Sequence, residues 1–272
     1  MSSDLFDLTN RVVIVTGGLG RLGHAYASAF AERGARVAVL DQPLAPDAVA
    51  ERLGPLAGHP GVVFYPVDVR SRASLESTLE AIGRRWGVPE VLINNAAIDS
   101  PPDAPAEENG PFETYPEASW DKIMDVNAKG VFLCCQVFGG AMARAGRGSI
   151  VNVASIYGHV APDQSIYEYR RRRGETYFKP VAYAASKSAL YNLTRYLAVY
   201  WAAKGVRVNT LTLAGVFANQ DPEFLAAYTS RIPVGRMAEP ADYVGPVLFL
   251  AAPASRYMTG ANVVVDGGWT AI

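Results

Sequence analysis

The chain has few cysteines and no long hydrophobic run. Its two cysteines, Cys134 and Cys135, are adjacent, so they cannot form a disulfide framework or a cysteine metal cluster. The three histidines show no ligand spacing, and no catalytic metal is expected. The apolar stretches are strand-length or interrupted by glycine and charge, so no membrane span is predicted. The segment Met1–Asp7 is acidic where a secretory signal is basic. We therefore expect a cytoplasmic protein.

The chain also lacks an excess of charge of either sign. Its 25 Lys and Arg residues against 26 Asp and Glu residues give a net charge of −1. A general nucleic-acid binder shows a basic excess on some face, so no nucleic-acid partner is predicted. Half of the 272 residues are hydrophobic, which is enough for a sizeable core, and the length suits one large α/β domain.

Short β-branched runs alternate with Ala-rich stretches along the chain. This alternation is typical of βαβ units around a parallel sheet. The predicted fold class is α/β, with a doubly wound Rossmann-type domain over residues 1–272 and a mostly parallel seven-stranded sheet. The predicted strands are Val12–Thr16, Arg36–Leu40, Val62–Pro66, Val91–Asn94, Ser149–Ala154, Arg207–Leu211 and Asn262–Val265. The predicted helices are Arg21–Arg33, Ser71–Trp86, Ser119–Arg144, Ala182–Lys204 and Ala241–Ala252, and Gly34, Gly87 and Gly205 act as C-terminal stops. Asp99–Pro116 and Ala161–Pro180 are predicted to be long loops.

A glycine-rich turn follows the first strand. Gly18-x-Gly20-x-x-Gly23 has the spacing of a dinucleotide-binding turn, in which glycine lets the backbone approach a pyrophosphate on a helix N-terminus. Asp41 ends the second strand, where a carboxylate accepts hydrogen bonds from ribose hydroxyls and repels a 2′-phosphate, so NAD is the expected cofactor. Arg21 keeps NADP open, because a guanidinium group pairs with phosphate. The cofactor candidates here are Gly17, Gly18, Gly20, Arg21, Leu22, Gly23 and Asp41. An ordinary tight turn beside a solvated aspartate is the bland alternative.

Further cofactor candidates follow the third and fourth strands. Asp68, next to Val69, can hydrogen-bond an adenine amino group, or it can cap the following helix. Asn95, followed by Ala96 and Ala97, lies where the crevice of a doubly wound sheet opens. A backbone clamp between strands is the alternative for Asn95.

The candidate catalytic residues lie on later elements. Tyr183 and Lys187 are four residues apart on a predicted helix, so they share one face. A neighbouring ammonium group lowers the pKa of a phenol, which can then exchange a proton with substrate. Ser155 ends the fifth strand, and its hydroxyl group can hold the reacting oxygen. Asn127 lies in an apolar helix, where its buried amide needs partners, and a water chain to Lys187 is one answer. Taken alone, a Tyr and a Lys at this spacing are most often a surface pair.

Together these motifs resemble the short-chain dehydrogenase/reductase family over essentially the whole chain. The resemblance rests on the glycine turn, Asn94-Asn95-Ala96, Asn127, Ser155, Tyr183-x-x-x-Lys187 and the ending Val265-Asp266-Gly267-Gly268. It implies a catalytic tetrad of Asn127, Ser155, Tyr183 and Lys187, a bond from the lysine to the nicotinamide ribose, and nicotinamide contacts at Gly215, Val216 and Phe217. It also implies a homo-oligomer, a dimer or a tetramer, that pairs the helices Ser119–Arg144 and Ala182–Lys204. Within the family, three segments resemble a bacterial subgroup that is associated with surface-sugar biosynthesis. They are Ser155-Ile156-Tyr157-Gly158, Ala161-Pro162-Asp163-Gln164 and Arg195-Tyr196-Leu197-Ala198.

The chain departs from the family pattern at three places. Arg21 stands where the turn usually has glycine, and Leu213-Ala214 replaces the Pro-Gly that follows the sixth strand. Ser155 and Tyr183 lie farther apart than in typical members because of the segment Asp163–Lys179.

That segment belongs to an inserted active-site loop around residues 161–180, which we name the insertion. Because it joins the strand end of Ser155 to the helix of Tyr183, it is expected to cover the substrate as a lid. Its aromatic residues suit a sugar ring, and the consecutive arginines Arg170–Arg173 suit an anion, with a solvated charged face as the alternative. The candidate substrate residues are Ser155, Tyr157, Tyr167, Arg170, Arg171, Arg172 and Arg173.

These features predict an NAD(H)-dependent oxidoreductase that interconverts a secondary alcohol and a ketone. The expected substrate is a sugar, a polyol or a similar small polar molecule, neutral or anionic. One alternative is a non-catalytic dinucleotide-sensing protein, against which the intact tetrad argues. Another is a sugar epimerase or dehydratase that retains its NAD, but the short remainder after Leu211 leaves little room for a separate substrate domain.

Overall fold

One parallel sheet of seven strands organises the molecule, and the computed structural model describes residues 4–99 and 106–272. The strand order is β3-β2-β1-β4-β5-β6-β7, and each neighbouring pair runs parallel. The strands are β1 (Val12–Thr16), β2 (Arg36–Asp41), β3 (Val62–Pro66), β4 (Val91–Asn94), β5 (Gly148–Ser155), β6 (Val206–Leu213) and β7 (Asn262–Val265). The chain order reverses between β1 and β4, so a crevice opens there at the carboxyl edge of the sheet. The predicted doubly wound α/β fold is confirmed.

Helices fill the connections between the strands. They are α1 (Arg21–Glu32), α2 (Pro46–Leu53), α3 (Arg72–Trp86), α4 (Glu117–Met124), α5 (Val131–Cys134), α6 (Gly140–Ala145), α7 (Ile156–His159), α8 (Glu168–Arg172), α9 (Val181–Trp201), α10 (Pro222–Thr229) and α11 (Val244–Ala251). The short helices α2, α7, α8 and α10 were not predicted, because four to eight residues are too few to show a helical period. The glycine stops at Gly34, Gly87 and Gly205 are confirmed, since each adopts a positive φ directly after a helix.

Alternate residues of each central strand pack into two hydrophobic clusters, one on each face of the sheet. Val13 and Val15 of β1 join the cluster that contains α1 and α11. Val12 and Ile14 join the opposite cluster, which contains α3, α5 and α9. A strand buried on both faces shows a continuous apolar run rather than alternation. This explains why the sheet could be recognised from β-branched runs.

The helix predicted over Ser119–Arg144 is a continuous helical segment, Glu117–Ala145, with two π-helical turns. The π turns are Asp125–Gly130 and Cys135–Gly139, and they connect α4, α5 and α6. By length and composition this segment is apolar enough to cross a membrane, but 61% of its most apolar window is buried inside the protein. Such burial is what a core helix shows. π turns frequently occur at functional sites, and Asn127 lies in the first one.

The insertion has secondary structure of its own, in contrast to the predicted loop. It contains a 3₁₀ helix, Gln164–Tyr167, followed by α8. Ile166, Tyr167 and Tyr177 are buried in a third hydrophobic cluster with Tyr157 and Tyr228. The other predicted loop, Asp99–Pro116, contains 3₁₀ helices over Ala106–Asn109 and Phe112–Thr114, and its positions 100–105 lie outside the described residues.

Candidate active site

The glycine turn after β1 is closely packed at two glycines. Gly17 has a φ of +63°, and a Cβ atom there would lie 2.8 Å from the Cα of Ala96. A Cβ atom on Gly23 would lie 2.1 Å from the carbonyl oxygen of Gly17. Gly20, the N-cap of α1, provides no side-chain hydrogen bond, and the first turn of α1 has no acidic residue. A helix N-terminus of this kind binds a pyrophosphate well, so these residues fit a dinucleotide.

Asp41 lies beside this turn. Its carboxylate accepts hydrogen bonds from the backbone amides of Leu19, at 2.9 Å, and Gln42, at 2.8 Å. These bonds hold both oxygens at the end of β2, and each oxygen keeps a lone pair for a ribose hydroxyl group. The guanidinium group of Arg21 instead donates to the carbonyl of Phe217, which follows β6. Because β2 and β6 lie on opposite sides of β1, Arg21 and Asp41 reach toward different ends of the crevice.

The candidates after β3 and β4 have structural partners. Asp68 forms a two-oxygen ion pair with Arg70 and does not cap α3, whose N-cap is Ser71. Val69 packs against the position of Gly130. The side chain of Asn95 donates to the carbonyl oxygens of Thr16 and Gly17, at 3.0 and 3.2 Å. Asn95 is thus the clamp weighed as its alternative, and it holds the glycine turn against the end of β4. Ala96 also contacts this turn, since its backbone amide donates to the hydroxyl of Thr16.

Three of the four predicted catalytic residues line one cavity. Ser155 ends β5, and its hydroxyl group accepts a hydrogen bond from the amide of Tyr157 at 3.2 Å and interacts with the phenol of Tyr183. The ammonium group of Lys187 donates to the carbonyl of Val153 at 2.9 Å and lies 5.9 Å from the centre of the Tyr183 ring. The extension of β5 to Ser155, one residue beyond the predicted end, places this hydroxyl at the edge of the sheet.

Asn127 acts one layer behind the cavity. Its amide is fully buried, accepts from the backbone amide of Ile98 at 2.8 Å and donates to the Ile98 carbonyl at 2.9 Å. It also donates to the hydroxyl of Ser186 on α9 at 3.1 Å. Both the oxygen and the nitrogen of the side-chain amide therefore have protein partners, and the water chain to Lys187 stays a prediction. Asn127 ties the π turn to the segment after β4 and to the helix of Tyr183 and Lys187.

Burial dominates the electrostatics of the site. It raises the pKa of Tyr183 above the ordinary phenol value, an effect that the Asp99 carboxylate reinforces and the Ser155 hydrogen bond opposes. Burial lowers the pKa of Lys187 to about 8, and Asp99 acts in the opposite direction. At neutral pH the phenol is therefore protonated and the ammonium group charged.

The cavity has a volume of about 440 Å³ and extends from the glycine turn to the insertion. On the cofactor side it is lined by Leu22, Asn95, Ala97, Gly215 and Val216. On the substrate side it is lined by Tyr157, Tyr167, Tyr169, Arg170, Tyr177, Lys179, Gln220, Asp221, Phe224 and Tyr228. Phe217 is exposed beyond the lining residues.

The arginine run has carboxylate partners. Arg170 pairs with Glu175 and Arg171 pairs with Glu168, both within the insertion. Arg172 contacts Glu223, and Arg173 contacts both Asp221 and Glu223, at 2.7 to 2.8 Å. Of the four arginines, Arg170 lines the cavity, while Arg171, Arg172 and Arg173 lie outside its lining. These three therefore do not take the substrate-facing position that the sequence predicted, because they connect the insertion internally and to α10.

Four further residues of the cavity were not predicted from the sequence: Asp99, Lys179, Phe224 and Tyr228. Lys179 forms an ion pair with Asp99 inside the cavity. The Tyr228 hydroxyl accepts a hydrogen bond from the amide of Gly215 at 2.7 Å, which ties the segment after β6 to α10. No motif marks these residues, and only the path of the insertion brings them to the site. Among the described residues, no group of three His, Cys, Asp or Glu side chains could hold a metal.

The chain is similar to curated proteins over nearly its whole length. The family model for enoyl-(acyl carrier protein) reductase matches residues 20–270. D-threitol dehydrogenase from Mycolicibacterium smegmatis is 36% identical, and the match covers 97% of this chain and 95% of that protein. Galactitol 2-dehydrogenase (L-tagatose-forming) from Cereibacter sphaeroides is 33% identical, with 98% of this chain and 97% of that protein covered.

Solved structures show the same fold. A short chain dehydrogenase from Leptospira borgpetersenii with bound NAD⁺ has a TM-score of 0.82 and 30% identity, covering 99% of this chain and 97% of that one. A gluconate 5-dehydrogenase from Burkholderia cenocepacia in complex with NADP and tartrate has a TM-score of 0.83 and 26% identity, covering 99% of this chain and 98% of that one.

Proposed function

Because the chain belongs to the short-chain dehydrogenase/reductase family, we propose that its cavity oxidises a secondary alcohol of a polyol with NAD. The chain is an oxidoreductase of CH–OH groups that interconverts a secondary alcohol and a ketone, as its relatives do with polyols and sugar alcohols. The observation that carries the assignment of the site is the meeting of Ser155, Tyr183 and Lys187 in one cavity beside the glycine turn.

We assign one role to each member of the tetrad. When bound, the nicotinamide supplies or accepts the hydride. The Ser155 hydroxyl holds the substrate oxygen, and the Tyr183 hydroxyl transfers the proton to or from that oxygen. The Lys187 ammonium stabilises the phenolate form of Tyr183 by its charge and binds the nicotinamide ribose. Asn127 keeps α9 and the segment after β4 in place through Ser186 and Ile98.

NAD is the proposed cofactor, although related structures contain either NAD⁺ or NADP. The support for NAD is the position of the Asp41 carboxylate at the end of β2, where it faces the glycine turn. A carboxylate there binds ribose hydroxyls and repels a 2′-phosphate. Arg21 is directed toward Phe217 and away from Asp41, which weakens the case for Arg21 as a phosphate partner. The other proposed contacts are Gly17, Gly18, Gly20, Leu22, Gly23, Asp68, Val69, Asn95, Ala96, Ala97, Gly215, Val216 and Phe217.

A homotetramer is the proposed assembly, with the whole chain as one dinucleotide-binding domain. The outer face of α9 exposes Tyr196, Val199 and Tyr200, and Phe132 is exposed on α5. An apolar helical face of this kind suits pairing with a second copy. The proposed compartment is the cytoplasm, which agrees with two buried free thiols. The likeness to surface-sugar enzymes stays a prediction.

The test is a substrate screen with purified protein. Threitol, galactitol, glycerol and simple secondary alcohols are offered with NAD⁺ and with NADP⁺, and formation of the reduced nucleotide is followed by absorbance. We expect turnover of at least one polyol with NAD⁺. Tight binding of NAD⁺ without turnover of any alcohol would contradict the proposed reaction. It would favour the alternative of a non-catalytic dinucleotide-sensing protein.

A further inference from the structure

An ion pair lies inside the substrate side of the cavity. The Lys179 ammonium group contacts the Asp99 carboxylate, and both residues line the cavity. The Lys179 side chain is 9% exposed, whereas that of Asp99 is 42% exposed. The two residues come from distant parts of the chain, Asp99 from the segment after β4 and Lys179 from the end of the insertion. Neither belongs to the tetrad or to the cofactor candidates.

The backbone of Lys179 is fixed on both sides. The Gln164 side chain accepts from the Lys179 amide at 2.9 Å and donates to its carbonyl at 3.4 Å. Pro180 follows as the N-cap of α9, so residue 179 is restricted to extended backbone. The ammonium group lies 4.9 Å from the centre of the Tyr183 ring and 6.0 Å from that of Tyr157. The ion pair is therefore held within one small-molecule length of the reacting hydroxyl.

The charges around the cavity are already compensated. Apart from the proposed catalytic Lys187, the cations that line the described cavity are Arg170 and Lys179. Arg170 pairs with Glu175, and Lys179 pairs with Asp99. The further carboxylate in the lining, Asp221, pairs with Arg173. A carboxylate or phosphate on a substrate would compete with protein carboxylates for both cations.

An ion pair of this kind suits a hydroxyl group better than it suits an anion. A carboxylate oxygen accepts a hydrogen bond from a hydroxyl group, and an ammonium group donates to the same hydroxyl oxygen. Tyr167, Tyr177 and Phe224 supply apolar ring surface to the cavity. Aromatic surface with a few polar groups that fix orientation is the usual composition of a small-molecule site.

We propose that the Lys179–Asp99 pair binds a second hydroxyl group, on the carbon next to the reacting one, and thereby selects uncharged vicinal polyols. The inference rests on the proposed function, because it takes Ser155 and Tyr183 as the groups that hold the first hydroxyl. It goes beyond that function by assigning a specificity site to two residues outside the tetrad. It also predicts discrimination against monohydric alcohols, which leave the pair without its ligand, and against sugar acids.

The test uses substrates that differ by one group. 2,3-Butanediol and 2-butanol differ by the second hydroxyl group, and tartrate carries the same vicinal diol between two carboxylates. We expect the wild-type kcat/KM to be about 100-fold or more higher for the diol than for 2-butanol, since a site built for a hydroxyl rejects the analogue that lacks it. Tartrate is expected to be no better a substrate than 2-butanol.

The variants are Lys179→Met, Asp99→Asn and the charge-retaining Lys179→Arg. Lys179→Met and Asp99→Asn should lower kcat/KM for the diol about 10- to 100-fold, mainly through KM, and Lys179→Met should change kcat/KM for 2-butanol less than about threefold. Lys179→Arg should recover part of the loss. Lys129→Met is the matched control, because Lys129 forms a surface ion pair with Asp125 at 3.1 Å. That control should behave as wild type with both alcohols.

Three outcomes would overturn the inference. The first is an equal loss of kcat/KM for the diol and for 2-butanol in Lys179→Met, which would show that the ion pair acts on Tyr183 rather than on the substrate. The second is wild-type use of 2-butanol or tartrate as readily as the diol. The third uses calorimetric binding of both alcohols in the presence of NADH, which needs no turnover. Equal affinities there would contradict the inference even if no alcohol is oxidised, whereas weak turnover with selective diol binding would count only against the proposed function.

Discussion

Lys187 on α9 donates a hydrogen bond to the carbonyl of Val153 on β5, at 2.9 Å. This bond holds Lys187, which is only 4% exposed, beneath the edge of the sheet. Burial lowers the pKa of Lys187 to about 8. The protein thus keeps a cation where its solvation is poor, and this position lowers the free energy of unfolding at neutral pH.

The cost predicts a pH dependence of stability. An unfolded lysine has a pKa of about 10.4, so between pH 8 and pH 10 the unfolded chain binds the Lys187 proton more fully than the folded chain does. The free energy of unfolding should therefore rise with pH in this window by about 2 kcal/mol from this group. Chemical denaturation at several pH values tests this, with Lys187→Met as the comparison. If the free energy of unfolding depended on pH in the same way in wild type and Lys187→Met, the pKa of Lys187 would not be lowered in the folded protein.

Tyr183→Phe should abolish turnover and leave the NAD affinity nearly unchanged. The substitution removes the transferable proton and keeps the ring that packs in the cavity. General acid–base catalysis contributes about 10²- to 10⁴-fold in rate. Steady-state kinetics and fluorescence titration with NADH measure the two effects separately. Tyr177→Phe, at another tyrosine of the cavity, is the comparison and should lose far less activity. Wild-type turnover in Tyr183→Phe would remove Tyr183 from the proposed mechanism.

Asp41→Ser should shift the cofactor preference toward NADP. Loss of the carboxylate removes the repulsion of a 2′-phosphate, and the ratio of NADP to NAD efficiency should rise roughly tenfold, about 1.4 kcal/mol. Kinetics at saturating alcohol with each nucleotide give this ratio. Asp47→Ser, at an exposed carboxylate in the first turn of α2, is the control and should leave the ratio unchanged. A wild-type protein that already prefers NADP would contradict the proposal for Asp41.

Arg173→Gln and Glu223→Gln should raise KM by similar amounts. Their side chains form an ion pair at 2.7 Å that joins the insertion to α10. An exposed ion pair contributes little and is screened by salt, so either change should raise KM only about two- to fivefold at low salt and less at high salt. Arg84→Gln, from the surface pair with Glu80, should leave KM unchanged.

Opposite changes of KM in these two variants would instead assign Arg173 to substrate binding. If Arg173 bound an anionic substrate, Arg173→Gln would raise KM while Glu223→Gln, by releasing the arginine, would lower it. Steady-state kinetics with the best polyol and with tartrate distinguish the two patterns.

The sequence by itself determined the fold class, the glycine turn, and the positions of Ser155, Tyr183 and Lys187. Each of these depends on short-range regularities: apolar runs that specify buried strands, glycine spacing that allows a close backbone approach, and a four-residue spacing that aligns two side chains on a helix. Strand ends at the same edge of a parallel sheet then bring such residues together without further information.

Only the tertiary structure decided the substrate side of the cavity. Lys179 and Asp99 are 80 positions apart, and Arg173 and Glu223 are 50 positions apart. Their pairing depends on how the insertion packs Ile166, Tyr167 and Tyr177 against Tyr157 and Tyr228. Close packing of this cluster selects one path for the insertion among many, and a local sequence pattern does not encode that path. For this reason the run Arg170–Arg173 suggested an anion site, whereas the folded chain gives each of its arginines a carboxylate partner.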